Sequence, residues 1–172
     1  MSPAALILAA ALARRLTAAG LTVAAAESLT GGRLAAALTR RPGSSVYFLG
    51  SVVAYANEAK INLLDVPEAL LAEHGAVSEA CARAMAGGAR RRLGADLAVA
   101  ATGIAGPGGG SPAKPVGLVW LAVAGGRGVW TTEHRFTGGR RAVTEAATLE
   151  ALKFLSRALS WAHDHTEEVL EP

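Results

Sequence analysis

The sequence predicts an α/β fold on a mixed sheet, for three reasons. Helical periodicity and short runs of β-forming residues alternate along the chain. The hydrophobic share of 51% is carried largely by alanine and valine, with only 5% aromatics, so the interior packs from small side chains, as suits helices lying close on a sheet. Near the C-terminus two β-rich runs flank a tight glycine turn, the mark of an antiparallel hairpin. A chain of 172 residues can bury a sizeable core without disulfides or a metal. Residues 1–165 are expected to form one domain, and the acidic stretch 166–172 to fray.

Residues 3–19 read as the first helix, with Pro3 in its first turn and Gly20 where a helix C-terminus ends. Residues 21–27 read as a strand and 31–40 as a second helix, stopped by Pro42, Gly43 and Ser44. The run 46–55 is nearly all apolar, as expected of a central strand covered on both faces. Asn57 is placed to cap a short helix through Leu64, Pro67 to start another through His74, and Ser78 to cap a longer one ending at Gly94. Residues 96–101 form the next strand, 116–124 and 129–136 the hairpin, and 141–162 the last helix.

The formal charge of +3 is modest. The arginines come in short scattered groups (Arg14 and Arg15, Arg40 and Arg41, Arg90 with Arg91 and Arg92, Arg140 and Arg141), a solvated-surface pattern rather than the basic stripe of a nucleic-acid binder. A mild preference for an anionic small molecule fits as well. Cys81, the sole cysteine, suits a reducing compartment, and the cytoplasm is the expected location. It falls within a helix, so packing is its expected role. The apolar residues 4–13 follow no basic residue and are too short to span a bilayer; no membrane association is expected. His74, His134, His163 and His165 lack metal-ligand spacing, so the reaction is expected to be metal-independent.

Three segments could carry chemistry. Ser28, followed by Thr30, Gly31 and Gly32, stands where a strand gives way to a helix, an edge at which open α/β folds place ligands and where helix amides can meet an oxyanion or phosphate. Taken alone, the segment reads first as a cap and turn, and second as a nucleophile's seat. In the run Tyr55, Ala56, Asn57, Glu58, Ala59, Lys60, a cap at Asn57 sets Lys60 at the third helical position, the wrong end of the dipole for a cation. That placement favours a neutral amine able to act as general base, with Tyr55 to relay the proton or orient the amine. Taken alone, the pair reads first as a snorkelling lysine and a strand-forming tyrosine. The third segment, Thr102 to Gly110, follows a strand but matches neither a P-loop nor a dinucleotide fingerprint. It is either a close-approach ligand loop or a plain connection.

Together these segments resemble the C-terminal domain of the competence-damage-inducible CinA family, the nicotinamide-nucleotide amidohydrolases. The resemblance rests on Ala26-Glu27-Ser28-Leu29-Thr30-Gly31-Gly32, Pro42-Gly43-Ser44-Ser45, Val53-Ala54-Tyr55-Ala56-Asn57-Glu58-Ala59-Lys60, His74-Gly75-Ala76-Val77-Ser78-Glu79, Thr102-Gly103-Ile104-Ala105-Gly106-Pro107 and Lys114-Pro115-Val116-Gly117, in the family's order over nearly the whole chain. It implies a three-layer α/β/α fold, no cofactor, a homo-oligomer, and hydrolysis of the carboxamide of nicotinamide mononucleotide to the acid and ammonia, a step of pyridine nucleotide recycling. Carried over by position, Ser28 is the nucleophile, Lys60 and Tyr55 are the proton-transfer partners, and Thr30, Gly31, Gly32, Thr102, Gly103, Gly106 and Arg140 form the substrate-binding set. The chain departs from the family in one place. Where the family has a phenylalanine, a glycine, an acid and an arginine, then a second arginine, this sequence has Phe136, Gly138, Gly139 and Arg140, with Thr144 near the second arginine's place.

On this reading Lys60, helped by Tyr55, takes the Ser28 proton as the serine oxygen attacks the amide, backbone N–H groups hold the oxyanion, an acyl enzyme follows, and the lysine or tyrosine protonates the departing ammonia. There are two rival readings: a nucleotide-sensing or scaffold domain without turnover, against which the retained Ser28, Tyr55 and Lys60 count, and an amidase for another small amide, which keeps the same residues.

Overall fold

Helix ends fall where short-range chemistry places them. In the computed structural model, which describes residues 1–163, α1 (Pro3–Ala19) is capped by Ser2, whose hydroxyl oxygen accepts from the Ala5 amide at 3.3 Å, and it stops at Gly20 in the left-handed region. The acidic stretch 166–172 lies outside the described residues. Strand β1 (Val23–Glu27) is followed by α2 (Arg33–Leu38), which starts two residues later than the pattern predicts. Gly31 (φ 55°) and Gly32 (φ 91°) occupy the left-handed region, so the turn between strand and helix is longer.

A short 3-10 turn (Ser44–Val46) leads into β2 (Phe48–Val53), then α3 (Asn57–Leu64), α4 (Glu68–His74) and α5 (Glu79–Leu93). The cap of α3 is Ala56, not Asn57; no side chain caps it, and Lys60 becomes the fourth helical residue. Ser78 caps α5 as expected, accepting from the Cys81 amide at 3.1 Å. Then come β3 (Leu97–Gly103), β4 (Leu118–Gly125), β5 (Gly128–Arg135) and α6 (Arg140–His163). Strands β4 and β5 form the expected hairpin, closed by Gly126 and Arg127 between the paired Gly125 and Gly128.

The sheet order is β2-β1-β3-β4-β5, with β1 parallel to both neighbours and the remaining pairs antiparallel, so the sheet is mixed and open. Two-residue alternation divides the core between its faces. Val23, Ala25, Val99 and Leu121 join Leu12, Leu16, Leu34 and Leu155 of α1, α2 and α6, while Ala24, Ala26, Ala98 and Ala100 meet Leu64, Leu71, Met85 and Ala89 of α3, α4 and α5. This is the three-layer α/β/α arrangement. On the second face the strands present mainly alanine, which lets α5 lie close to the sheet.

The expectation of a central β2 is corrected. β2 is an edge strand, and Leu49 and Val53 are 42% and 46% exposed. An unbroken apolar run shows that residues avoid water somewhere, but it does not distinguish a strand between two neighbours from one with a bare edge.

Candidate active site

The parallel strands β1, β2 and β3 end on the same side of the sheet. Glu27 pairs with Val53 on one side and Ala101 on the other, which sets Ser28 level with Ala54 and Thr102. Two backbone bonds hold this level: the Ala54 amide donates to the Glu27 carbonyl at 2.8 Å and the Ser28 amide to the Ala101 carbonyl at 3.0 Å. From β1 the chain passes first to β2 on one flank and later to β3 on the other. Ser28 therefore stands at the topological switch point, where diverging connections open a crevice. It is 8% exposed, and among the described residues its hydroxyl has no hydrogen-bond partner.

Lys60 reaches this level from α3. Its side chain is 1% exposed, and Nζ donates to the Ala54 carbonyl at 3.0 Å and the Tyr55 carbonyl at 3.3 Å. Burial lowers its pKa below the ordinary lysine value, against the opposing pull of Cys81, Glu58 and Tyr55. Two carbonyls match the two N–H groups of a neutral amine and leave its lone pair uncommitted. Cys81, held in the core beneath, is pushed up to about 11 by burial.

Tyr55 lies just beyond β2 and is 56% exposed. Its hydroxyl accepts from Arg140 rather than from Lys60, and Arg140 also donates to the Gly106 carbonyl at 3.2 Å. Arg140 thus fastens the end of β2 to the glycine-rich loop. Beside this bridge is a cavity of about 370 Å³ lined by Leu29, Gly31, Arg33, Tyr55, Arg140, Arg141 and Thr144. It opens next to the Ser28 turn and carries three guanidinium groups. Another cavity, of about 400 Å³, is lined by Arg14, Arg41 and Tyr47 among others, at the opposite end of the strands from Ser28.

The order of these segments along the chain is matched as a whole by the family model described as the CinA C-terminal domain, over residues 6–159. The chain belongs to the CinA family. CinA-like proteins of Mycolicibacterium gilvum (strain PYR-GCK) and Geobacter sulfurreducens are 57% identical over 143 residues and 54% identical over 149 residues, covering 83% and 87% of this chain but 34% and 36% of theirs. The chain thus spans about a third of the length of the curated relatives it matches. Its fold is also that of the competence/damage inducible protein CihA from Agrobacterium tumefaciens (TM-score 0.90, 44% identity, 93% of this chain and 98% of that one). A CinA superfamily protein from Klebsiella pneumoniae 700603 is similar as well (TM-score 0.88, 40% identity, 91% and 98%).

Within this CinA domain the other candidate residues take varied positions. Thr30 is wholly buried, and its hydroxyl is unpartnered among the described residues. Thr102 is also buried and donates to the Ala76 carbonyl at 2.7 Å, tying β3 to the segment before α5. Gly103 and Gly106 serve close packing: a Cβ would fall 2.6 Å from the Leu118 carbonyl oxygen and from Val116 Cγ1 respectively. Sequence reasoning assigned no role to Glu27, Arg33 or Arg141. The usable signal was an acid immediately before Ser28, at the buried end of a strand where an unpaired carboxylate is costly. Among the described residues no three His, Cys, Asp or Glu side chains gather as metal ligands, and no helix is long and apolar enough to cross a membrane.

Proposed function

We propose that this CinA domain hydrolyses the carboxamide of nicotinamide mononucleotide to nicotinate mononucleotide and ammonia, without a metal or cofactor, in the cytoplasm and as a homo-oligomer. The observation that carries the reading is the level of Ser28 with Ala54, whose carbonyl holds the buried Lys60 amine. Lys60 takes the Ser28 proton as Oγ attacks the carboxamide carbon. The tetrahedral intermediate collapses, the Lys60 proton leaves with ammonia, and an ester to Ser28 remains. Water, giving a proton to Lys60, then attacks the ester and frees the acid and the serine hydroxyl.

Tyr55 takes part through its position between the Lys60 helix and Arg140, orienting the substrate and relaying protons at the crevice mouth. The cavity with Arg33, Arg140 and Arg141 suits the phosphate, because guanidinium groups bind phosphate oxygens in paired hydrogen bonds. The adjoining Leu29 and Gly31 lead from there to Ser28.

The test is release of ammonia and acid from nicotinamide mononucleotide by purified, metal-chelated protein. Folded Ser28→Ala and Lys60→Ala are each expected to lose about 10³-fold or more in kcat. Full turnover by Ser28→Ala excludes the scheme. An inert wild type that binds the nucleotide stoichiometrically makes the domain a sensor instead.

A further inference from the structure

Glu27 ends β1 immediately before Ser28 and is fully buried. One carboxylate oxygen accepts from the amides of Gly32 at 2.9 Å and Leu34 at 3.0 Å. The other accepts from the Ala35 amide at 2.9 Å and the Ser51 hydroxyl at 3.1 Å. Each oxygen thus takes two donors, so Glu27 has no free lone pair aimed at Ser28 and is not its base. The same bonds consume the α2 amides that an incoming anion would otherwise meet. The Ser28 amide is committed to Ala101, while among the described residues the amides of Leu29 and Thr30 donate to no protein group.

We infer that Glu27 is a positioning residue of the reaction. Anchored to β2 through Ser51, its carboxylate fixes the turn so that the Ser28 hydroxyl and the Leu29 and Thr30 amides form one preset attack geometry. This inference rests on the amidohydrolase reading of Ser28 and deepens it by assigning the oxyanion donors. The turn needs such a brace. Gly31 and Gly32 both have positive φ, the N-cap residue Gly32 has no side chain to cap α2, and a helix of six residues has little stability of its own. A nucleophile displaced by about 1 Å loses on the order of 10²-fold in rate. In Glu27→Gln the new amide NH2 faces either the Ala35 amide or the Gly32 and Leu34 amides, so at least one of the four bonds is lost, even with the Ser51 hydroxyl turned round to accept, and the turn is loosened.

The experiment measures kcat and KM on nicotinamide mononucleotide, together with the rate at which phenylmethylsulfonyl fluoride modifies Ser28, read by mass spectrometry. It compares wild type, Glu27→Gln and the milder Ser51→Ala, with folding checked by circular dichroism. The expected result for Glu27→Gln is a kcat about 10–100-fold lower, KM within about threefold, and labelling slowed to match. Ser51→Ala should shift kcat in the same direction by a smaller factor. A folded Glu27→Gln with lowered melting temperature but wild-type kcat and labelling makes Glu27 a helix cap only; this overturns the inference and leaves the amidohydrolase reading intact. If Glu27→Gln does not fold, wild-type behaviour of Ser51→Ala overturns it equally. If wild type releases no ammonia but Ser28 is labelled, and Glu27→Gln slows that labelling, the positioning role stands and the substrate assignment falls. A wild type that neither turns over nor labels removes both.

Discussion

Lys60 meets opposing demands on one side chain. Burial depresses its pKa, so the unfolded chain binds the lysine proton more readily than the folded one. Stability is therefore complete above the ordinary lysine pKa of about 10.4 and is lost as pH falls through the lower folded value. Lys60→Met is expected to be inactive, to show a flatter dependence of stability on pH, and to exceed wild type at pH 7 by about 1 kcal/mol. Thermal denaturation of both proteins at pH 7 and pH 10 checks this, and a wild type that loses stability on going up to pH 10 contradicts it. Activity follows the same group: kcat/KM should rise with pH until the amine is neutral and then level off, the bend lying below the ordinary lysine range. Ser28, Tyr55 and Lys60 were singled out in the sequence by the family motifs that hold them, since taken alone their segments read first as a cap and turn, a strand-forming tyrosine and a snorkelling lysine. Glu27 was not, because its partners are three backbone amides and the Ser51 hydroxyl, which converge only once β1, β2 and α2 are assembled.

The Lys60 helix is held from below by α5. At Gly88 a Cβ would fall 1.9 Å from the carbonyl oxygen of Leu64, the last residue of α3, so these backbones touch where any side chain would intrude. Helix propensity alone says Gly88→Ala stabilises by roughly 0.5–1 kcal/mol. The contact reverses the sign, and a loss of about 1–3 kcal/mol is expected, with kcat falling as α3 shifts. Urea denaturation and ammonia release on the same variant measure both; a stabilised Gly88→Ala would falsify the close approach. Pro3, Ser78, Gly20 and Gly94 made α1 and α5 readable, since caps and stops act within a turn or two. The start of α2 was misjudged by two residues because two glycines in a row extend a turn without any local mark of where the helix resumes.

Across the molecule, the parallel β1, β2 and β3 bring Ser28, Tyr55 and Thr102, which are far apart along the chain, to one edge. Edge strand β2 leaves Leu49 and Val53 exposed on the side that ends at Tyr55, and apolar edges of this kind promote association. If the homo-oligomer forms here, light scattering will find more than one chain per particle, and the double change Leu49→Lys with Val53→Lys will yield monomers. A monomeric wild type removes that part of the proposal. The α/β class, the hairpin and most element limits could be read from the sequence, because periodicity, caps and turn residues act over a few positions. The place of β2 at the edge, the attachment of Tyr55 to Arg140 and the bracing of the Ser28 turn by Glu27 were decided only by the packed chain. The first two depend on pairings between residues distant along the chain, up to 85 positions for Tyr55 and Arg140, and the third joins amides 5 to 8 positions from Glu27 to an anchor on β2 24 positions away, distances that the local pattern does not encode.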